Sequence, residues 1–147
     1  MIAIRRFAAE DAEALRRGLY PDMALSEVSE MIAEWNTCEY GGRRFDAFAV
    51  VSDERIVGYV SLYEQSRSVV SAGAEIFADE RGRGAAAEAV RLLLRYASEQ
   101  GYRIVFDQVR TDNAASIRLH EKLGFESDGC VYRNRRGREV LLFLISI

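Results

Sequence analysis

Arg81-Gly82-Arg83-Gly84-Ala85-Ala86 is the stretch of this chain that constrains the fold most, because it places two glycines at the start of a helical pattern. The apolar segment 73–78 precedes it, and an amphipathic pattern over residues 85–100 follows it. A strand, a glycine turn and a helix in this order leave several backbone N–H groups free at the positive end of the helix. Glycine also lets a ligand approach the backbone closely. The stretch therefore predicts a site for a phosphate or pyrophosphate group.

The composition is that of a globular protein. The chain has 147 residues, of which 49% are hydrophobic and 29% charged, and this length suits one domain over residues 1–147. No apolar run is long enough to span a membrane and no secretory signal is seen, so we expect a cytoplasmic protein with no membrane partner. The net charge of −3 argues against nucleic acid as the main partner.

Two cysteines, Cys38 and Cys130, lie far apart in the sequence. Their spacing is not that of metal ligands, so we predict no metal site. We expect both thiols to be reduced, as in a cytoplasmic protein, and to be buried or half-buried by packing.

Hydrophobic periodicity and turn residues predict alternating strands and helices along the chain. The predicted strands are Ile2–Phe7, Phe45–Val51, Arg55–Tyr63, Val69–Ala78, Tyr102–Val109, Phe125–Arg133 and Glu139–Ile147. The predicted helices are Glu10–Leu19, Ala24–Trp35, Gly84–Gln100 and a last one that Asp112 or Asn113 caps and that ends at Leu123. This order predicts a mixed α/β (α+β) domain, with a central sheet of about six to seven strands flanked by about four helices.

Two segments of the chain resemble the GNAT acyltransferase superfamily. In the turn, Arg81, Gly84 and Ala86 match the family pattern of Gln or Arg, two residues, Gly, one residue, then Gly or Ala. The segment from Asn113 to Phe125 ends in Lys-Leu-Gly-Phe, as the second cofactor-side segment does in many members. The separation of the two segments and the order of elements also agree with the family, whereas the N-terminal third resembles it only in outline.

The resemblance implies a GNAT fold and an N-acetyltransferase that uses acetyl-CoA as donor and a primary amine as acceptor. The strand before the turn would splay from its neighbour and pair with the pantetheine arm, which Asn113 would also contact. The residues implied for that strand are Ile76, Phe77 and Ala78, and those whose N–H groups would hold the pyrophosphate are Arg81, Gly82, Arg83, Gly84, Ala85 and Ala86. Members are often dimers, and the apolar last strand, Leu141–Ile147, suggests an interface edge.

The resemblance also points to an acid. His120, the only histidine, stands where the family more often has a tyrosine that protonates the leaving thiolate. An imidazole can donate a proton near neutral pH; the alternative role is packing with one structural hydrogen bond. Asn113, Ile117 and His120 have the spacing of one helix face, about 10.5 Å long. That span would let Asn113 contact the arm while His120 approaches the sulfur.

The base is less well defined. An alkylamine has a pKa of about 10.4, so a group that takes its proton assists attack on the thioester. Some members carry a glutamate where this chain has Gln108, which argues against acetylation of protein N-termini by that route. Glu75 is the first candidate, acting through water, and bulk water could also suffice. The other candidates are Asp107, which lies on the opposite strand face from Gln108, and Glu34 and Glu39. For each of these carboxylates the commoner role is that of a solvated surface group. A backbone N–H near Phe77 would stabilise the oxyanion.

Three functions remain open on the sequence alone. The first is acetylation of a small-molecule or amino-acid-like amine, the second is acetylation of a protein or peptide amine, and the third is a non-catalytic module that binds acyl-CoA. A dinucleotide-binding domain is disfavoured, because the turn follows a late strand. An acceptor pocket could include Trp35, Tyr40 and Phe45, which otherwise belong to the core. An acidic acceptor could meet Arg133, Arg135, Arg136 and Arg138, which otherwise form a solvated turn.

Overall fold

Eight strands form the central sheet, and four helices pack on its two faces. The computed structural model describes residues 1–147. The strands are β1 (Ile2–Arg5), β2 (Glu39–Tyr40), β3 (Arg43–Ser52), β4 (Arg55–Glu64), β5 (Val69–Ile76), β6 (Ile104–Arg110), β7 (Tyr132–Arg133) and β8 (Glu139–Ser146). The helices are α1 (Ala12–Leu19), α2 (Leu25–Trp35), α3 (Ala85–Glu99) and α4 (Ala114–Lys122). The predicted mixed sheet with four helices is confirmed.

The sheet opens at its centre. Its order is β1-β3-β4-β5-β6-β8-β7, with β2 beside β3, and only β5 and β6 run parallel. These two strands pair from Val69 to Ser71 and no further, whereas β5 continues to pair with β4 as far as Ile76. The two strands therefore diverge after Ser71 and leave a V-shaped gap between them.

Each face of the sheet has its own core. Helix α3 covers one face, here called the α3 face, where a cluster of 17 buried residues includes Val60 and Leu93. Helices α1 and α2 cover the α1/α2 face, where a cluster of 8 buried residues includes Leu15 and Ala47. The alternation of side chains along the strands separates these two sets.

Two predicted elements have different bounds in the structure. Helix α1 begins at Ala12, because Asp11 accepts a hydrogen bond from the Ala8 N–H at 2.7 Å and residues 9–11 form a short 3₁₀ turn. The glycines in the stretch 41–44 predict a loop there. The observed turn is shorter, because Gly41 and Gly42 take positive φ angles of 59° and 78° and form the turn between β2 and β3. Positive φ angles suit glycine, which has no Cβ.

The strand predicted over Phe125–Arg133 is wrong for most of its length. Only Tyr132–Arg133 forms a strand, and Glu126 makes an isolated bridge to Leu144. The Ser127 and Asp128 side chains accept hydrogen bonds from the N–H groups two residues further on. Such local bonds stabilise a turn in place of a strand ladder.

One further expectation is corrected by the fold, and another stays a prediction. Cys130 is exposed, and only Cys38 is partly buried; both thiols are free. Strand β8 pairs with β6 along one side, whereas on its other side it pairs with β7 only at Glu139–Val140 and with Glu126 only at Leu144. Most of the predicted edge over Leu141–Ile147 therefore has no strand beside it, and a dimer interface there stays a prediction.

Candidate active site

The gap between β5 and β6 opens into a cavity of about 470 Å³. The turn after β5 and one face of α4 form its walls. The predicted site residues that line it are Glu75, Ile76, Arg81, Gly82, Gly84, Ala85, Ala86, Asn113 and His120. Three others, Phe77, Ala78 and Arg83, lie beside the cavity without lining it. The fold thus brings most of the predicted site together.

The turn presents unpaired donors to this cavity. Gly82 and Gly84 have φ angles of 78° and 80°, a conformation in which other residues are strained. The N–H groups of Gly82, Arg83 and Gly84 make no hydrogen bond to the protein. Helix α3 begins at Ala85, and the N–H groups of a first helical turn have no partner within the helix. A run of such donors at a helix N-terminus fits a phosphate group.

The end of β5 presents its main chain to the gap. The Phe77 N–H donates to the Val57 carbonyl of β4 at 2.8 Å. Backbone groups of successive residues face opposite sides of a strand, so those of Ala74 and Ile76 face the gap. Ile76 O accepts a hydrogen bond there from Arg81 Nε at 3.1 Å, which ties the turn to the strand. Because the Phe77 N–H already donates to Val57, it is not free to bind the carbonyl oxygen of a ligand. The free backbone donors at this strand end are those of Ala74 and Ile76, which face the gap.

Helix α4 forms the opposite wall. Asn113 caps it, as predicted, by accepting the Ser116 N–H on Oδ1 at 3.1 Å, and this leaves its Nδ2 as a donor. The cavity face of the helix carries Asn113, Ser116 and His120. Ile117 packs instead against the core of the α3 face. The predicted face of Asn113, Ile117 and His120 is therefore wrong at its middle residue.

The ring of His120 is only 6% exposed and has two partners. Its Nδ1 lies 2.7 Å from Ser116 O, and its Nε2 lies 2.9 Å from Asp107 Oδ2. A carbonyl oxygen only accepts, so Nδ1 carries a proton and donates it to Ser116 O. The Nε2 atom then shares one further proton with Asp107. Phe125 and Phe143 enclose the ring, with centroid distances of 4.9 and 5.4 Å.

The pKa values of His120 and Asp107 are both raised, for different reasons. Burial by itself lowers the pKa of His120, but hydrogen bonds to Asp107 and to Ser116 O outweigh it and raise that pKa. Burial raises the pKa of Asp107, against the opposing effect of the imidazole. Both shifts favour the protonated form of the pair at the wall of the cavity. Sequence analysis missed the partnership, although strand alternation had already placed Asp107 on the face opposite Gln108.

Glu75 lies on the other side of the gap, exposed to solvent and lining the cavity. Its strand partner on β4 is Tyr59. Burial raises the pKa of Tyr59, with further contributions from the Tyr20 hydroxyl and the Glu75 carboxylate, so the phenol stays protonated. Tyr20 and Tyr59 were not singled out in the sequence, because their proximity depends on long-range packing.

Aromatic rings continue from Tyr59 across the α1/α2 face. The ring centroid of Trp35 lies 5.0 Å from that of Tyr59 and 6.3 Å from that of Phe45. The ring centroids of Phe45 and Tyr40 are 6.4 Å apart. Trp35 and Phe45 are half-buried, whereas Tyr40 is 59% exposed. These rings therefore border the core without being enclosed by it. Of the other predicted bases, Glu34 and Glu39 are exposed and do not line the cavity.

The chain matches the family model of an acetyltransferase (GNAT) domain over residues 2–126. It belongs to the GNAT family. This GNAT protein is 36% identical over 126 residues to the SPbeta prophage-derived uncharacterized N-acetyltransferase YokL of Bacillus subtilis, an alignment covering 84% of this chain and 70% of that protein. It is 33% identical over 79 residues to an L-methionine sulfoximine/L-methionine sulfone acetyltransferase of Pseudomonas aeruginosa, covering 50% of this chain and 46% of that protein.

A solved structure supports the fold of this GNAT protein. Mycobacterium smegmatis RimJ in complex with CoA-disulfide has a TM-score of 0.86 at 18% sequence identity, covering 99% of this chain and 81% of that one. The predicted family, fold and acyltransferase class are therefore confirmed. None of the helices has the length and apolar character needed to cross a membrane.

Proposed function

We propose that this GNAT protein transfers an acetyl group from acetyl-CoA to a primary amine of a small molecule or amino-acid-like acceptor. The observation that carries the proposal is the run of unpartnered N–H groups that begins at Gly82 and faces the cavity. Two relatives support it. The RimJ structure holds a CoA group, and the Pseudomonas aeruginosa relative is named for amino-acid-like substrates.

The proposed donor site has three parts. The N–H groups from Gly82 to Ala86 hold the pyrophosphate, because the positive end of α3 favours an anion. The gap-facing backbone of Ala74 and Ile76 pairs with the amides of the pantetheine arm. From the other wall, the Nδ2 of Asn113 donates to the same arm. Together these contacts bring the acetyl thioester into the gap between β5 and β6.

The acceptor enters from the α1/α2 face, where Tyr59 and Glu75 lie side by side. Glu75 takes a proton from the ammonium group through water, which leaves a neutral amine. Holding amine and thioester together makes the attack effectively unimolecular. A C–N bond then forms, the C–S bond breaks, and the nitrogen gives its next proton to solvent water, which leaves a neutral amide. The proton shared by His120 and Asp107 passes to the departing thiolate, for which their raised pKa values suit them.

The first experiment is calorimetric titration of acetyl-CoA, with desacetyl-CoA and NAD as comparison ligands. We expect acetyl-CoA to bind in the micromolar range and Gly84→Glu to weaken binding about 100-fold, which is roughly 2.7 kcal/mol. Gly137→Glu is the matched control, because Gly137 also has a positive φ of 74° and open space around its Cα but lies on the β7–β8 turn. Equal losses in both variants, or no binding to any coenzyme A form, would overturn the donor site.

Turnover then separates the proposed acceptors. Release of free thiol with small amines supports the proposal, whereas release only with peptides would favour a protein acceptor. Binding without turnover on any amine would indicate a non-catalytic module. We expect His120→Ala and Glu75→Gln to lower kcat by about 10²–10⁴-fold with little change in the Kd of acetyl-CoA.

A further inference from the structure

We infer that Gly18 of α1 is a positioning residue for the acyl-CoA site. The absence of a side chain at Gly18 leaves room for the Phe77 ring, and the packing of this ring fixes the position of the end of β5. The inference rests on the proposed function, since that strand end is the part proposed to pair with the arm. None of the residues that line the cavity belongs to α1. Gly18 would therefore act on the site only through Phe77.

The contact between the two residues is very close. A Cβ added to Gly18 would lie 2.5 Å from Phe77 Cδ1 and 2.6 Å from its Cγ and Cε1. Because Cγ is bonded directly to the Cβ of Phe77, the ring cannot escape by moving only its far end. The φ of Gly18 is one that any residue adopts, so packing, not backbone conformation, calls for glycine. Inside a helix, glycine has a lower intrinsic propensity than alanine.

Phe77 in turn determines where the strand ends. Its N–H donates to Val57 O at 2.8 Å, and its carbonyl accepts from the Glu80 N–H at 2.9 Å. Phe77 belongs to the core of the α1/α2 face, whereas its neighbour Ile76 belongs to the core of the α3 face. Two successive side chains thus anchor the strand end in both cores. A displaced Phe77 would shift the gap-facing backbone of Ile76.

A second glycine contacts the same strand end from the sheet. A Cβ on Gly58 of β4 would lie 2.2 Å from Glu75 O and 2.8 Å from Ile76 Cα. Other glycines, such as Gly101 and Gly129, would meet nothing within 4 Å. Helix α1 and strand β4 therefore each place a glycine against the end of β5. Such close packing of neighbouring elements is a specific property of this part of the site.

The test is a double-mutant cycle with acetyl-CoA binding as its readout. We expect Gly18→Ala to raise the Kd of acetyl-CoA about 10-fold, because a shifted Ile76 backbone would lose a hydrogen bond to the pantetheine arm. In the Phe77→Ala background the same substitution should change the Kd less than about twofold, since the clashing ring atoms are gone. Arg17→Ala, on the exposed side of α1, is the control and should leave the Kd unchanged.

A second measurement requires neither a bound ligand nor the double variant of Gly18 and Phe77. Amide hydrogen exchange should show that Gly18→Ala, but not Arg17→Ala, loses protection over residues 76–80, where the Phe77 and Glu80 N–H groups are bonded. If Gly18→Ala keeps this protection and its acetyl-CoA affinity, the inference is overturned. If the wild type binds no coenzyme A form, the proposed function fails, and exchange at residues 76–80 still decides whether Gly18 positions the strand.

Discussion

The two faces of the sheet differ in how completely they are packed. The α3 face has a cluster of 17 buried residues, and beside it the turn presents backbone N–H groups and α4 presents polar side chains to the cavity. The α1/α2 face has 8 buried residues and a border of half-buried rings, among them Trp35 and Tyr59. In the proposed function the first face holds the acetyl-CoA donor, and the second meets the acceptor. Main-chain recognition requires only a rigid backbone, whereas side-chain recognition varies with sequence.

The largest expected difference between the faces is in stability. Leu93 and Leu15 are both fully buried, one on each face. We expect Leu93→Ala to lower the free energy of unfolding by about 4 kcal/mol and Leu15→Ala by about 2–3 kcal/mol. The difference arises because the smaller core of the α1/α2 face can relax around the void that the substitution leaves. Urea unfolding followed by circular dichroism measures both. Equal losses would show that the two cores are equally rigid, and reversed losses would show that the core of the α1/α2 face is the more rigid one.

The next largest effect is expected at the buried pair of His120 and Asp107 beside the cavity. Asp107→Asn removes the partner that raises the pKa of His120, so that pKa should fall. A raised pKa in the folded state adds stability that is fully present below about pH 6.5 and is lost as the pH rises through the folded value. We therefore expect the variant to lose about 1–3 kcal/mol at pH 6 and less at pH 9.

Two measurements check this prediction. The chain has one histidine, so an NMR titration of its ring reports the pKa of His120 without ambiguity. Urea unfolding at pH 6 and pH 9 gives the dependence of the free energy of unfolding on pH. Asp112→Asn is the control, because this exposed carboxylate pairs only with Arg110 and should change stability by less than about 1 kcal/mol. An unchanged His120 pKa in Asp107→Asn would contradict the assigned pairing.

The acceptor side should respond more selectively. We expect Trp35→Leu to raise the KM for the amine about fivefold, or roughly 1 kcal/mol, while the Kd of acetyl-CoA stays the same, because the Trp35 ring borders only the α1/α2 face. Steady-state kinetics and calorimetry measure the two quantities. Tyr132→Leu, at a distant exposed ring, should change neither. A matching loss of acetyl-CoA affinity would mean that the two faces are not separable.

The smallest effect is expected at the tip of the β7–β8 turn. Arg135 and Arg136 are exposed, so replacing both by alanine should change the free energy of unfolding by less than about 0.5 kcal/mol and leave KM values unchanged. Kinetics at two salt concentrations test this directly. A salt-dependent rise in KM for an amine that bears a carboxylate would instead assign the arginines to an acidic acceptor.

Local features were predictable from sequence, and their errors have local causes. The positive φ angles at Gly82 and Gly84 and the cap at Asn113 follow from backbone preferences within a few residues. The strand over Phe125–Arg133 was wrong because Ser127 and Asp128 bond to nearby N–H groups instead. Periodicity cannot detect that competition.

The amino-acid sequence by itself determined the family, the order of elements and the glycine turn, because motifs and helix ends depend on neighbouring residues. Tertiary structure alone decided that His120 shares a proton with Asp107, that Tyr59 lies beside Glu75, and that Gly18 seats the ring of Phe77. Each of these contacts joins different elements. Their distances depend on how helices pack on a splayed sheet, which no local pattern encodes.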